Sequence, residues 1–193
     1  VAVSDTTIDA TTLASTIDSI DFINGLNTTL MTLASGATIN IDALEIATIL
    51  GHETGSIVGG SRLTISDQNI VVTGNISVDD ANLLSATTTG TVTASIATTE
   101  TVDSLLNLAG THAYTIVISS EDAAVSADDL NTISALTTEA IDATAVTDIT
   151  RDTISNINTL LIAGNDTAQF TDTSFSQLSS VSVFNVTEYL AFN

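Results

Sequence analysis

Residues 125–150 read VSADDLNTISALTTEAIDATAVTDIT, and residues 78–94, VDDANLLSATTTGTVTA, carry a second version of the same phrase. Aligning Asp128-Asp129 with Asp79-Asp80 also matches Asn131 with Asn82, Ser134 with Ser85, Thr137-Thr138 with Thr88-Thr89 and Ala143 with Ala94, all at one constant offset. By the pair Ala109-Gly110 and Ala163-Gly164 the offset has grown slightly, which a few inserted residues account for. A phrase written twice marks an architecture in which one unit cannot bury its own apolar face and must stack on a neighbour.

Smaller units lie inside each copy. Runs with strand-like alternation begin near Thr38, Leu63, Thr91, Thr115, Ala140 and Gln169, at nearly even spacing. Ile39 and Ile41, Ile116 and Ile118, and Ile141 and Ala143 put apolar groups on one strand face. Between the runs, helical spacing recurs. Leu130, Ile133 and Leu136 follow the capping sequence Ser126-Ala-Asp-Asp; Ile154, Ile157, Leu160 and Leu161 follow Thr150; Val102, Leu105 and Leu106 follow Thr98; Leu13, Ile17 and Ile20 suggest one more near the start. Gly36, Gly51, Gly110 and Gly164 stand where helix C-caps would be. This rhythm predicts an α/β repeat solenoid with one short strand and one short helix per 24–29-residue coil, forming a single repeat domain over 1–193. The alternatives are an all-β sandwich or a β-helix, against which the helix-spaced segments argue.

The 193 residues are long enough for a real core, and 44% of them are hydrophobic. Only 4% are aromatic, so that core is expected to be thin and layered, built from Ala, Ile, Leu and Val. Charge is the extreme property: 23 Asp and Glu face two basic residues, Arg62 and Arg151, for a formal net charge of −21. Nucleic-acid binding through phosphate neutralisation needs clustered cations and is not expected, nor is attraction to anionic membranes. Self-repulsion of this size favours a saline setting, where charges are screened over roughly 10 Å, or one rich in divalent cations. There is no Cys, so no disulfide staples the chain, and no apolar run is long enough to be a transmembrane helix. The opening Val1-Ala2-Val3, without Met or a signal-peptide pattern, reads as part of a longer polypeptide.

The candidate ligands are the acids Asp79, Asp80, Glu121, Asp122, Asp128 and Asp129, with a further stretch from Asn165-Asp166 to Asp172. Calcium takes six to eight oxygen ligands and could use them; helix capping needs the same residues and no metal. Neither an EF-hand loop nor the Gly- and Asp-rich nonapeptide of calcium β-rolls is present. Catalytic signatures fail one by one. His52-Glu53 would need His at position 56 for a zincin and has Ser56; His112 is isolated; no G-x-S-x-G elbow accompanies the Ser, His and Asp residues; Gly55 to Gly60 lacks a phosphate-cradle Lys. No carboxylate pair is singled out for glycoside hydrolysis, and aromatic sugar platforms are scarce. Four Asn-x-Ser/Thr sequons begin at Asn27, Asn75, Asn165 and Asn185. The aromatic end, from Val181 to Tyr189-Leu-Ala-Phe, suits a closing strand or a subunit contact.

The phrase from Ser126 to Thr150, with its weaker copy at 77–110, resembles the acidic Thr/Asp/Ala-rich repeats of very large secreted bacterial surface proteins, notably of marine bacteria and cyanobacteria. The resemblance implies an extracellular protein of the adhesin, surface-layer or matrix-filament kind, often calcium-dependent. The expectation is therefore a non-enzymatic, self-assembling structural module at the cell surface, with copies of itself as partners and cell-surface glycans as further ones. The competing expectation is a secreted carbohydrate-binding or carbohydrate-degrading solenoid.

Overall fold

A computed structural model describes residues 2–3, 7–9, 12, 31–54 and 63–183, without side chains for 2–3 and 52–54. The architecture is mixed α/β, with eleven strands and five helices among the described residues. Every strand pair with an established register is parallel. The chain divides into two compact units, 1–95 and 96–193.

In the first unit, β1 (Ala2–Val3), β3 (Met31–Leu33) and β5 (Leu63–Thr64) form one parallel sheet, in that order. A second runs β2 (Thr7–Asp9), β4 (Thr38–Asp42), β6 (Asn69–Ile76) and β7 (Val92–Ile96). Ile8 pairs with Ile39 and Ile39 with Ile70, so one Ile position repeats from pass to pass, while Ile41 pairs with Val72. Alternation turns these side chains to one face, and in-register pairing lays them in a row; Ile39, Ile41 and Ile70 are at most 1% exposed. Helices α1 (Ile46–Thr54) and α2 (Val78–Thr87) belong to this unit, and α2 buries Val78, Ala81 and Leu84.

The second unit contains α3 (Val102–Leu105), β8 (Ala113–Thr115), β9 (Ala124–Val125), α4 (Ala127–Ala135), β10 (Asp148–Asp152), α5 (Ile154–Ala163) and β11 (Ser180–Val183). Its sheet runs β9, β10, β11; Val125 pairs with Ile149, and Ile149 with Val181. A separate row of parallel bridges joins His112 to Thr137, Val117 to Asp142, and Ile141 to Phe170. Helices α4 and α5 pack against each other, and Tyr114, Leu130, Ile133, Ile141 and Phe170 form the buried centre.

Some local expectations shift. The five helices displace the all-β alternatives. Thr101 and Thr153, not Thr98 and Thr150, cap α3 and α5, and Thr150 lies inside β10. Gly51 sits within α1 instead of after it. Gly36 is no helix C-cap but stands in the turn between β3 and β4 with a left-handed φ of 66°, Gly110 takes 75°, and Gly164 caps α5 at φ −66°. The longest strand, β6, is absent from the alternating runs, because Asn-Ile-Val-Val-Thr-Gly-Asn-Ile breaks its alternation at Gly74 and Asn75. The helix expected around Leu13, Ile17 and Ile20 lies outside the described residues.

Side chains tie each pass to the one before it. After α2, the buried Thr88 hydroxyl donates to the Gln68 carbonyl at 2.6 Å and accepts from the Gly90 N–H. After α4, the buried Thr137 hydroxyl donates to the Tyr114 carbonyl at 2.7 Å and accepts from the N–H groups of Tyr114 and Glu139. These are the two Thr-Thr pairs that the repeated phrase aligns, performing one task twice. Thr137→Val keeps shape but leaves these buried backbone groups unpaired, so it should cost about 1–3 kcal/mol in urea unfolding. Ile39→Ala, which opens a cavity in the row of Ile side chains, should cost about 2–5 kcal/mol by the same measurement.

Candidate functional site

The repeated acids are organised chiefly by helix capping. Ser77 accepts from the Asp80 N–H and donates to the Asp80 carboxylate at 2.8 Å. Ser126 does the same with Asp129, at 2.7 Å to its carboxylate. Both are reciprocal boxes at the first turn, where an acid also meets the positive end of the helix dipole. Asp128 accepts from the Asn156 side chain, and Asp122 from the Val102 N–H at the start of α3. Asp79 and Glu121 are exposed. Among the described residues no three His, Cys, Asp or Glu side chains lie together as a metal site. Asp166, from the later acidic stretch, holds its own turn through the Ala168 N–H.

The acids with the most developed surroundings are two that the repeat does not single out. Asp152, 6% exposed, ends β10 and accepts from the Asp128 N–H in α4, from the Thr153 N–H and from the Asn156 amide. Burial pushes its pKa up, but the donors of Asp128, Thr153, Asn156 and Ala127 prevail and hold it below the ordinary carboxylate value. One carboxylate thus serves the N-termini of α4 and α5 together. Asp148 is held below the ordinary value by the hydroxyls of Ser180 and Thr147, which outweigh desolvation, with Ser179 adding to them. Through Ser179 and Ser180 it fastens β10 to the start of β11. A sequence signal exists for Asp152, since it precedes a helix-capping Thr. Nothing local, however, marks it as an acceptor for the start of the preceding helix.

Two recesses among the described residues are candidate binding places. In the first unit, Asp9, Asn40, Asp42, Glu45 and Thr73 line an open depression with the 92%-exposed Leu44 at its rim. It lies by the carboxyl ends of β2 and β4, the side on which open parallel sheets take ligands. Two of its acids already have work: Asp9 accepts from Thr12, and Asp42 from the Leu44 N–H. In the second unit an apolar groove of about 180 Å³ lies between α5, β10, β11 and the turns at Phe175 and Leu178.

Of the residues weighed for catalysis, His112 is the one whose side chain is described. His112 packs edge-on against the buried Tyr114 ring at 5.5 Å; burial lowers the His pKa and raises that of Tyr114 to about 12. His52 and Glu53 fall at the end of α1, and Ser56 and Gly55 to Gly60 lie outside the described residues, as do Asn27 and Asn185. Asn75 and Asn165 are exposed.

Because the Asp152 pKa is lowered on folding, its contribution is complete above the unfolded carboxylate value of about 3.9 and is lost as pH falls through the folded value. Asp152→Asn should therefore be less stable than the parent at pH 7, with the gap closing on acidification below about pH 4. Urea unfolding of both proteins between these limits measures it. Compared with known proteins, the chain matches no family model, no curated sequence and no solved structure.

Proposed function

We propose that the chain is an extracellular structural module, a repeat solenoid of a secreted bacterial surface layer, matrix filament or adhesin, that associates with copies of itself. The observation that carries this reading is the recurrence of one parallel, in-register arrangement. Ile8 pairs with Ile39 and Ile39 with Ile70 in the first unit, and Val125 pairs with Ile149 in the second. The helix N-caps Ser77, Thr101, Ser126 and Thr153 recur at nearly equal intervals along the chain. A stack of passes ends in open strand edges, and such edges are templates for another chain. In the described set, β11 is an edge, with Val181 42% and Val183 43% exposed. Structural use also fits the chemistry: the buried Thr88, Thr137 and Asp152 are occupied with backbone groups of neighbouring segments.

Calcium enters this proposal as a counter-ion to the acid-rich surface, with Asp79, Glu121 and the exposed edge of Asp128 among the carboxylates it would neutralise. A solenoid face can also take carbohydrate, and the depression lined by Asp9, Asn40, Asp42 and Glu45 favours that second reading. It offers hydrogen-bonding groups but no aromatic platform.

Assembly is measured by sedimentation velocity across a concentration series in calcium-containing saline. Larger species should grow with concentration and disappear in Val181→Lys/Val183→Lys. Those lysines reduce the net negative charge, so a loss of assembly would point to the blocked edge and not to repulsion. A concentration-independent monomer would refute self-assembly, and a glycan-array signal with that monomer would favour the second reading. EDTA in low salt should lower the melting temperature by about 2–4 °C for each 1 kcal/mol of counter-ion stabilisation, with sodium chloride restoring it. Melting indifferent to both would remove calcium from the proposal.

A further inference from the structure

Exposed apolar surface is unevenly spread over this chain. Among the described residues the exposed large aliphatic side chains are Leu44, Leu83, Ile154, Leu161, Ile162, Val181 and Val183. The first two belong to the first unit; the other five all lie on α5 and β11. Ile154 and Leu161 are seven residues apart and share one stripe of α5, with the 66%-exposed Ile162 beside it. Contact with α4 uses another part of the helix, where the Asn156 amide donates to Asp128 and the Asn156 carbonyl accepts from the Asn131 amide. The exposed stripe borders the apolar groove, which Leu160 and Leu161 line on one side and Phe175 and Val181 on the other. Helix stripe, groove and strand edge therefore make one continuous face.

This face is also without charge. No ionisable residue occurs in 153–165 or 173–183, although the chain carries 23 acids. Both properties bear on what covers it. At a net charge of −21, two copies of the chain repel wherever acids meet acids, and two Arg cannot offset that. Here two copies can approach closely without that repulsion, and the surface of a copy that matches an apolar face is the same face. The open depression of the first unit, by contrast, presents Asp9, Asp42 and Glu45. Shape agrees with charge. An exposed aliphatic ridge stands beside a groove of about 180 Å³, close to the roughly 150 Å³ that accepts one benzene-sized group, so a ridge side chain of each copy fits the groove of the other.

We infer that this face is a self-complementary contact: two copies meet about a two-fold axis, each laying Leu161 and Ile162 against the Phe175, Leu178 and Val181 side of the other's groove. The inference rests on the reading that the chain associates with its own copies, and it names the surface they use. A two-fold contact closes on itself, so it accounts for pairs, and longer assemblies require a second contact.

A single engineered cysteine joins two copies only where a site meets its own counterpart, and the chain has no Cys to confuse the result. Full-length Ile162→Cys, bridged with a short bismaleimide, should give mainly covalent dimers. Leu83→Cys, an exposed control on α2, should stay at monomer mass. Equal linking at both positions, or no linking at Ile162→Cys, would overturn the inference. Sedimentation velocity supplies the second measurement. Leu161→Ser/Ile162→Ser leaves the net charge unchanged and should raise the dissociation constant of the pair about ten-fold or more. Assembly that persists in this variant but vanishes in Val181→Lys/Val183→Lys would overturn the α5 contact and leave self-association standing. A parent that is monomeric at every concentration would overturn both. Should that monomer float with phosphatidylcholine vesicles while the serine variant does not, the occupant is a lipid surface and not a second copy. The cysteine result decides the matter even if the serine variant unfolds.

Discussion

The structure depends on hydrogen bonds from polar side chains to the backbone of the neighbouring pass. Short parallel strands leave many N–H and C=O groups at their ends without ladder partners, and buried groups of this kind must be satisfied. Here the partners are side chains at recurring positions. Gln68 accepts from the Ser66 and Asp67 N–H groups and donates to the Ala34 carbonyl. Thr88 and Thr137 then bind the passes that precede them, and Asp122 and Asp152 accept from the helix starts of α3 and α4. Close fitting adds to this selectivity. A Cβ on Gly90 would run into the Gln68 backbone, so the turn after α2 can approach only because the residue is glycine.

This constraint gives the charge a structural meaning. With two basic residues for 23 acids, ion pairs cannot neutralise the carboxylates. Several acids find backbone N–H groups instead, at helix N-termini where the dipole favours an anion. Asp122 and Asp152 accept from N–H groups at the starts of α3 and α4, while the Asp80 and Asp129 carboxylates accept from the hydroxyls of the capping residues Ser77 and Ser126. The remaining acids face water, and their mutual repulsion is what salt or divalent cations would relieve. Thr and Ser serve the same scheme from the other side, since a hydroxyl donates and accepts together, as Thr137 does between Tyr114 and Glu139.

Much of the local structure is legible in the sequence because it rests on short-range chemistry. The Ser126 cap, the helix that follows it, and the apolar row of Ile39 and Ile41 can each be read from their immediate neighbours. The equivalence of Thr88-Thr89 with Thr137-Thr138 is visible as a match, but its role is not, since the carbonyls of Gln68 and Tyr114 that it binds belong to the preceding pass. The run beginning at Leu63 illustrates the same limit. It has the spacing of a successor to Thr38, yet Thr38 pairs with Asn69 while Leu63 pairs with Met31 in a different sheet. Spacing alone does not distinguish two ladders that interleave along one chain. The candidate acids are legible as acids; whether each caps, latches or faces solvent depends on which N–H the fold brings within reach.

By itself, then, the sequence determined the elements and their economy: small aliphatic residues in alternation, capping residues before helices, a repeated phrase and an unbalanced negative charge. These follow from local periodicity and composition, which need no partner to express themselves. Only the tertiary structure decided which strands of successive passes pair, the separation into two ladders, and the promotion of Asp152 over the repeated acids. The physical reason is that a hydrogen bond between passes is selected by proximity, and proximity is set by how all the passes pack at once.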